Sequence, residues 1–304
     1  MAGQNENRRA RLAAERAAHE QARARNRRLL LAGGAIVVVI AVVLGVVLSS
    51  GGGNGSPGPS AGSTAPAPTA SAQSAVVDQL TSVPAATLDQ VGAGQTVSNP
   101  TTITGAELTS GGKPEVLYMG AEYCPYCAAE RWALIVALSR FGRFSGLAPI
   151  RSAAKDGAGN AEPYPLTPTW TFAKSTFTSS YLNFTPVELN TNIPDKTTGF
   201  YTTLQTPTAA QQALLNKYDA ANQGAIPFID YGNKFLSVGA SYNPALLAGL
   251  TWAQIAADLH DPSSPVAKAV LGVANYSTAA ICVLTHNQPA SACTAVVRGL
   301  QAKI

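Results

Sequence analysis

Charge is scarce in this chain. Asp, Glu, Lys and Arg together make 12% of its 304 residues, about half the share usual in a soluble domain. Histidine occurs three times (His19, His260, His286), methionine twice and cysteine four times. These shortages exclude several kinds of chemistry. A structural zinc site takes four Cys or His ligands, mostly in closely spaced pairs. The chain has one C-x-x-C, one C-x10-C and scattered histidines, so no metal is expected. Two methionines argue against a thioether copper site at Cys124 and Cys127. Phosphate-binding Walker loops, G-x-S-x-G elbows and H-E-x-x-H pairs are also missing from the sequence.

The few charges are unevenly spread. Residues 1–28 carry eight arginines and three glutamates, giving +5, while the rest has 13 Lys/Arg against 14 Asp/Glu, giving −1. The body therefore has no basic bias, and no nucleic-acid partner is expected. Directly after the basic tail, residues 29–48 are 20 residues without a charge. As a helix they span about 30 Å, the thickness of the bilayer hydrocarbon. A cleavable signal peptide has a shorter apolar region and ends in a small-residue site such as A-x-A. Here "SSGGGNG" follows, which favours an uncleaved transmembrane anchor in the lipid bilayer. Arg-rich flanks stay cytoplasmic, and no Lys or Arg follows until Lys113. The reading is a single-pass cell-membrane protein with residues 1–28 cytoplasmic and residues 49–304 outside.

Residues 49–74 are almost wholly Gly, Ser, Pro, Ala and Thr and read as a linker. A domain is then expected over 75–304. Its predicted elements are a helix at 75–83, a strand at 115–120, an amphipathic helix from Pro125 to near Gly142, and a strand at 147–153. Extended segments and loops over 160–205 are followed by a helix at 208–222. A hairpin at 225–239 turns at Gly232-Asn233, and helices close the chain near 243–260, 264–285 and 289–302.

The chemistry concentrates at "PEVLYMGAEYCPYC", residues 114–127. A strand runs into Cys124-Pro125-Tyr126-Cys127 and then a helix. Cys124 falls at the helix N-terminus, where unpaired N–H groups and the helix dipole favour a thiolate. Cys127 lies three residues on, on the same side, and is placed to resolve a mixed disulfide. Pro125 suits the first helical position because it has no N–H to lose.

"GAEYCPYC" resembles the active-site stretch of the thioredoxin superfamily, with the C-P-Y-C of glutaredoxins. "GAIPFIDYGNKFL" is similar to that superfamily's strand with a cis-proline and its hairpin partner. The words "GAEYCPYCAAERW" and "TPVELNTN" also look like an uncharacterised family of membrane-anchored thioredoxin-like proteins of bacteria and archaea. The resemblance implies an α/β thioredoxin-like fold with a long insertion and extra C-terminal helices. It implies that Pro227 is the cis-proline, with Ile226 before it lining a client groove, and Tyr126 and Trp132 packing or lining the rim. Thioredoxins carry a buried acid six residues before the first cysteine. That position is Tyr118 here, with Glu122 and Glu188 as possible substitutes. Cys127 and Pro227 are 100 residues apart, so an insertion is expected at about 155–205.

Cys282 and Cys293 remain. Outside the membrane they are expected to form a structural disulfide; a second redox pair is the other reading. Two functions are carried forward. One is a thiol–disulfide oxidoreductase acting on cysteine-containing extracytoplasmic proteins, with a membrane redox partner and no cofactor. The other is a binding module whose Cys124–Cys127 bridge is static.

Overall fold

The structure is a computed structural model that describes residues 66–156, 159–195, 197–220 and 224–304. The expected cytoplasmic tail, the membrane helix at 29–48 and residues 49–65 of the linker lie outside the described residues.

The architecture is mixed α/β. Helices α1 (Ala70–Thr81) and α2 (Ala85–Val91) come first. Helix α1 begins inside the stretch that reads as linker. Its apolar spacing places Val76 and Leu80 inward, one turn apart, and Gln73 donates to the carbonyl of Leu147 at 2.8 Å. Two short strands follow, β1 (Thr101–Thr102) and β2 (Thr109–Ser110), and then the central strand β3 (Lys113–Gly120). Helix α3 (Pro125–Ser139) leads to β4 (Gly142–Ser145) and β5 (Ala148–Arg151). The aromatic-rich region supplies β6 (Pro168–Thr171), β7 (Thr176–Ser179), β8 (Asn183–Glu188), β9 (Asn190–Asp195) and β10 (Phe200–Thr203). Helix α4 (Ala209–Tyr218) precedes the hairpin β11 (Phe228–Tyr231) and β12 (Phe235–Val238). A 3-10 turn (Pro244–Leu247) and helices α5 (Trp252–Asp258), α6 (Pro265–Leu284) and α7 (Ala295–Leu300) complete the chain.

The main sheet runs β1-β12-β11-β3-β2, with β8 also paired to β3. Strand β8 is parallel to β3, Glu115 opposite Asn183 through Gly120 opposite Glu188. Strand β11 is antiparallel to β3, and β12 antiparallel to β11. The core order is thus β12-β11-β3-β8. Alternate residues of β3 go to opposite faces. Val116 and Tyr118 join the large core with Ile229 and Tyr231, whereas Leu117, Met119 and Phe228 are buried outside that cluster. A strand buried on both faces reads as a continuous apolar run, which is what "VLYM" is. The hairpin turns where expected, with Gly232 and Asn233 both at positive φ (64° and 57°). Asn233 fixes it by donating its Nδ2 to the carbonyl of Ala106 at 2.6 Å.

Two expectations need correction. The region 155–205 is not wholly an insertion, because β8 is a strand of the main sheet. Pro186 and the neighbouring threonines hide it, since proline argues against a central strand but is tolerated at an edge. The smaller antiparallel pairs β4–β7, β5–β6 and β9–β10 are the added layer. The sequence spacing predicts an amphipathic α3, yet this helix is buried on nearly every face. It packs against α6, α1 and β6 together, so its polar residues must find partners inside.

Helix α6 is 20 residues long and, by mean hydropathy, apolar enough to cross a membrane. It is a core helix: 89% of its apolar window is buried inside the protein. Asn275 on it donates to the carbonyls of Leu88 and Gly92, both at 2.8 Å. Cys282 near its end is disulfide-bonded to Cys293, with Cα atoms 5.8 Å apart. The two cysteines are 11 positions apart in sequence, and closing a loop of that length contributes about 3 kcal/mol in the chain-entropy model. Both cysteines belong to the main core, which fits a staple between α6 and the segment before α7.

Candidate functional site

The site forms where β3 ends. After Gly120 the chain turns through Ala121, and the Cys124 N–H donates to the Ala121 carbonyl at 3.3 Å. Cys124 is the N-cap of α3 and Pro125 stands at its first turn. The Cys124 Sγ accepts the Cys127 N–H at 3.2 Å, doing for this helix what a Ser or Asp oxygen does for others. Both Cys124 and Cys127 are free thiols. Cys127 is 0% exposed and Cys124 4%, so the first cysteine keeps what little access there is.

Across from them, the Ile226–Pro227 peptide bond is cis. The Cys124 thiol faces the Ile226 carbonyl at 3.9 Å, and Ile226 packs on the cluster of Ala121, Cys124 and Cys127. The Pro227 carbonyl is already taken by the Gly239 N–H at 2.8 Å. Three expected residues therefore meet, Cys124 and Cys127 from the start of α3 and Ile226 from the segment before β11, with Pro227 adjoining.

Tyrosines flank the sulfurs. Tyr126 packs against the cluster and meets the ring of Tyr164 edge-on at 5.7 Å. Burial pushes the Tyr126 hydroxyl up to about 12. Tyr123 stacks on Tyr201 of β10, centroids 4.1 Å apart. The Tyr201 hydroxyl donates to the carbonyl of Lys155. Tyr164 and Tyr201 both come from the added layer, so that layer walls the cysteines; no local sequence signal marks either as a site residue. Trp132 does not reach the rim, contrary to expectation. It is wholly buried, donates its Nε1 to the Pro168 carbonyl at 2.8 Å and meets Trp170 edge-on. Helix geometry explains the difference. At about 100° per residue, Trp132 stands roughly 140° around the axis from Cys127, which turns its ring away from the sulfurs and under β6.

Beneath the cysteines lie groups that the sequence pattern does not pair. Arg131 is wholly buried and grips Glu188 of β8 through two bonds, Nε to Oε1 at 2.9 Å and Nη2 to Oε2 at 2.6 Å. Its Nη2 also donates to the Ala121 carbonyl at 2.8 Å. The Phe172 N–H donates to Glu188 at 3.2 Å. Tyr118 lies under the Arg131 guanidinium, 5.7 Å from ring centre to Cζ. Its hydroxyl is buried with no hydrogen-bond partner among the described residues, and burial holds it protonated well above its ordinary range. Glu122 accepts from the Thr171 hydroxyl at 2.6 Å. Glu130, also on α3, accepts from the Ser241 N–H and hydroxyl at 2.9 and 3.0 Å. Burial raises its carboxyl to about 7, against the lowering by those two bonds. Burial likewise pushes the Cys127 thiol well up, with the Cys124 side chain adding to it.

The chain belongs to the family described as Domain of unknown function (DUF929), which matches residues 99–283. That span takes in Cys124, Cys127, Arg131, Glu188 and Pro227. No curated protein and no solved structure matches the chain.

Proposed function

We propose that this protein is a thiol–disulfide oxidoreductase of thioredoxin type, anchored by residues 29–48 with its domain outside the cell membrane. One observation carries the reading: the Cys124 thiol, at a helix N-terminus, faces the Ile226 carbonyl two residues before β11. Two others support it. The strand order β12-β11-β3-β8, with β11 antiparallel to β3 and β8 parallel to it, suits a thioredoxin-like core. Cys127 is held one turn inside, within reach of the first sulfur.

The chemistry is exchange without a cofactor. The Cys124 thiolate attacks a client disulfide, forming a Cys124–client bond and releasing the other client sulfur as thiolate. Cys127 then attacks the Cys124 sulfur, closing Cys124–Cys127 and freeing the second client sulfur. The client is reduced by two electrons and the protein's dithiol is oxidised by two. The reverse sequence oxidises a client dithiol. The clients are cysteine-containing extracytoplasmic proteins, and a membrane redox partner restores the starting state.

The burial of both sulfurs favours the second reading, a binding module with inert cysteines. Alkylation decides between them. Reduced protein treated with a limiting amount of iodoacetamide should be modified at Cys124 well before Cys127, as mass spectrometry of the peptides would read. Equal, very slow modification of both would support the binding module.

A further inference from the structure

Exchange asks something awkward of Cys127. It must become a thiolate inside a wholly buried cluster, and burial opposes that charge. No carboxylate stands six residues before Cys124, where Tyr118 holds its proton. Glu122 is engaged by Thr171, and Glu188 by Arg131 and the Phe172 N–H.

Arg131 is placed differently. It follows Cys127 by four residues on α3, so both share one helix face. Its Nη2 is bound to the Ala121 carbonyl, and Ala121 packs directly with both cysteines. Nε and Nη2 are fixed by Glu188, while Nη1 is buried with no hydrogen-bond partner among the described residues. A buried ion pair is a poor way to gain stability, because apolar residues of similar volume do as well or better. A pair retained beside two thiols invites a chemical role.

We propose that Arg131 is a positioning residue for exchange: its guanidinium, held by Glu188 and the Ala121 carbonyl, stabilises the thiolate that Cys127 becomes when it resolves the mixed disulfide. The assignment rests on the oxidoreductase reading. In this step Cys127 gives up its proton and attacks the Cys124 sulfur. The Cys124–Cys127 bond forms, the Cys124–client bond breaks, and the departing client thiolate takes up a proton. The titratable and charged groups that act on Cys127 are Cys124 and Arg131 on α3, Tyr118 on β3 and Tyr123 in the turn, with Glu188 of β8 behind Arg131; a hydrogen bond with the Ala121 backbone also lowers the thiol, by less than Arg131 does. Arg131 is the cation in that set, and its charge draws the Cys127 thiol down against burial.

The test uses the full-length chain carrying Cys124→Ser, so that Cys127 is its remaining free thiol. The ultraviolet absorbance of the thiolate is followed against pH. The companion variant is Arg131→Met with Glu188→Leu, which removes both charges and keeps the site apolar; Arg131→Gln with Glu188→Gln replaces it should the first not fold. The Cys127 midpoint should move to higher pH in either charge-free variant, and Arg131→Lys should return it towards the starting value. With Cys124 restored, resolution of a mixed disulfide at neutral pH should slow by roughly tenfold, since a smaller thiolate fraction is partly offset by higher nucleophilicity. A folded charge-free variant with an unmoved midpoint overturns the Arg131 assignment and leaves the exchange reading standing. An Arg131-dependent midpoint in a protein that forms no mixed disulfide with any client overturns the exchange role itself.

Discussion

Replacing Cys127 with serine should leave the protein caught on its clients. Cys124 still attacks, or is attacked, at the helix N-terminus, but the thiol that would release the client is gone. Resolution must then wait for an outside thiol, which lacks the advantage of being held in place. For a well-placed intramolecular group that advantage spans several orders of magnitude, so the mixed disulfide should outlive the wild-type complex by at least about a hundredfold. Non-reducing gels of membranes from cells making Cys127→Ser should show high-mass bands that collapse on reduction. Cys124→Ser should show none, because the remaining thiol is wholly buried. Bands of equal strength from both variants would mean that Cys124 is not the attacking sulfur.

The second large effect is on stability. Glu188→Ala leaves the Arg131 charge buried and unpaired, and breaking a buried pair from one side costs about 3–5 kcal/mol. For a domain of this size that is roughly ten degrees or more in Tm. Arg131→Met with Glu188→Leu removes both partners and should unfold close to wild type. Chemical denaturation of the three proteins provides the comparison. A Glu188→Ala cost below about 1 kcal/mol would show that water reaches the guanidinium when its partner is removed.

The contrast between these residues explains what can be read in advance. Cys124, Pro125 and Cys127 declare themselves because helix-start chemistry is local: a strand, a cap and a proline sit within a few residues of one another. The β11–β12 hairpin is legible for the same reason, since Gly232 and Asn233 carry the positive φ that the turn demands. Ile226 and Pro227 need a family resemblance, because nothing in their own spacing says that they face residue 124. Arg131 and Glu188 are 57 positions apart, and an Arg beside a Glu on an otherwise apolar helix looks like a solvated charge until α6, α1 and β6 close around it. Strand β8 is masked by Pro186. Trp132 misleads because the sequence suggests a helix with a free face, and α3 has almost none. The wall of Tyr164 and Tyr201 depends on how the added layer folds back over the cysteines, which no local pattern encodes.

One measurement bears most directly on the claim that Cys124 and Cys127 exchange electrons. Full-length protein is equilibrated in glutathione buffers of graded ratio, quenched with acid, and the 124–127 dithiol and disulfide are counted by mass. A redox-active pair should interconvert reversibly, with a potential between about −270 and −120 mV, the span of known exchange proteins. A pair that stays bridged in every buffer, with a potential below about −300 mV as static disulfides have, or one that never bridges at all, would contradict it.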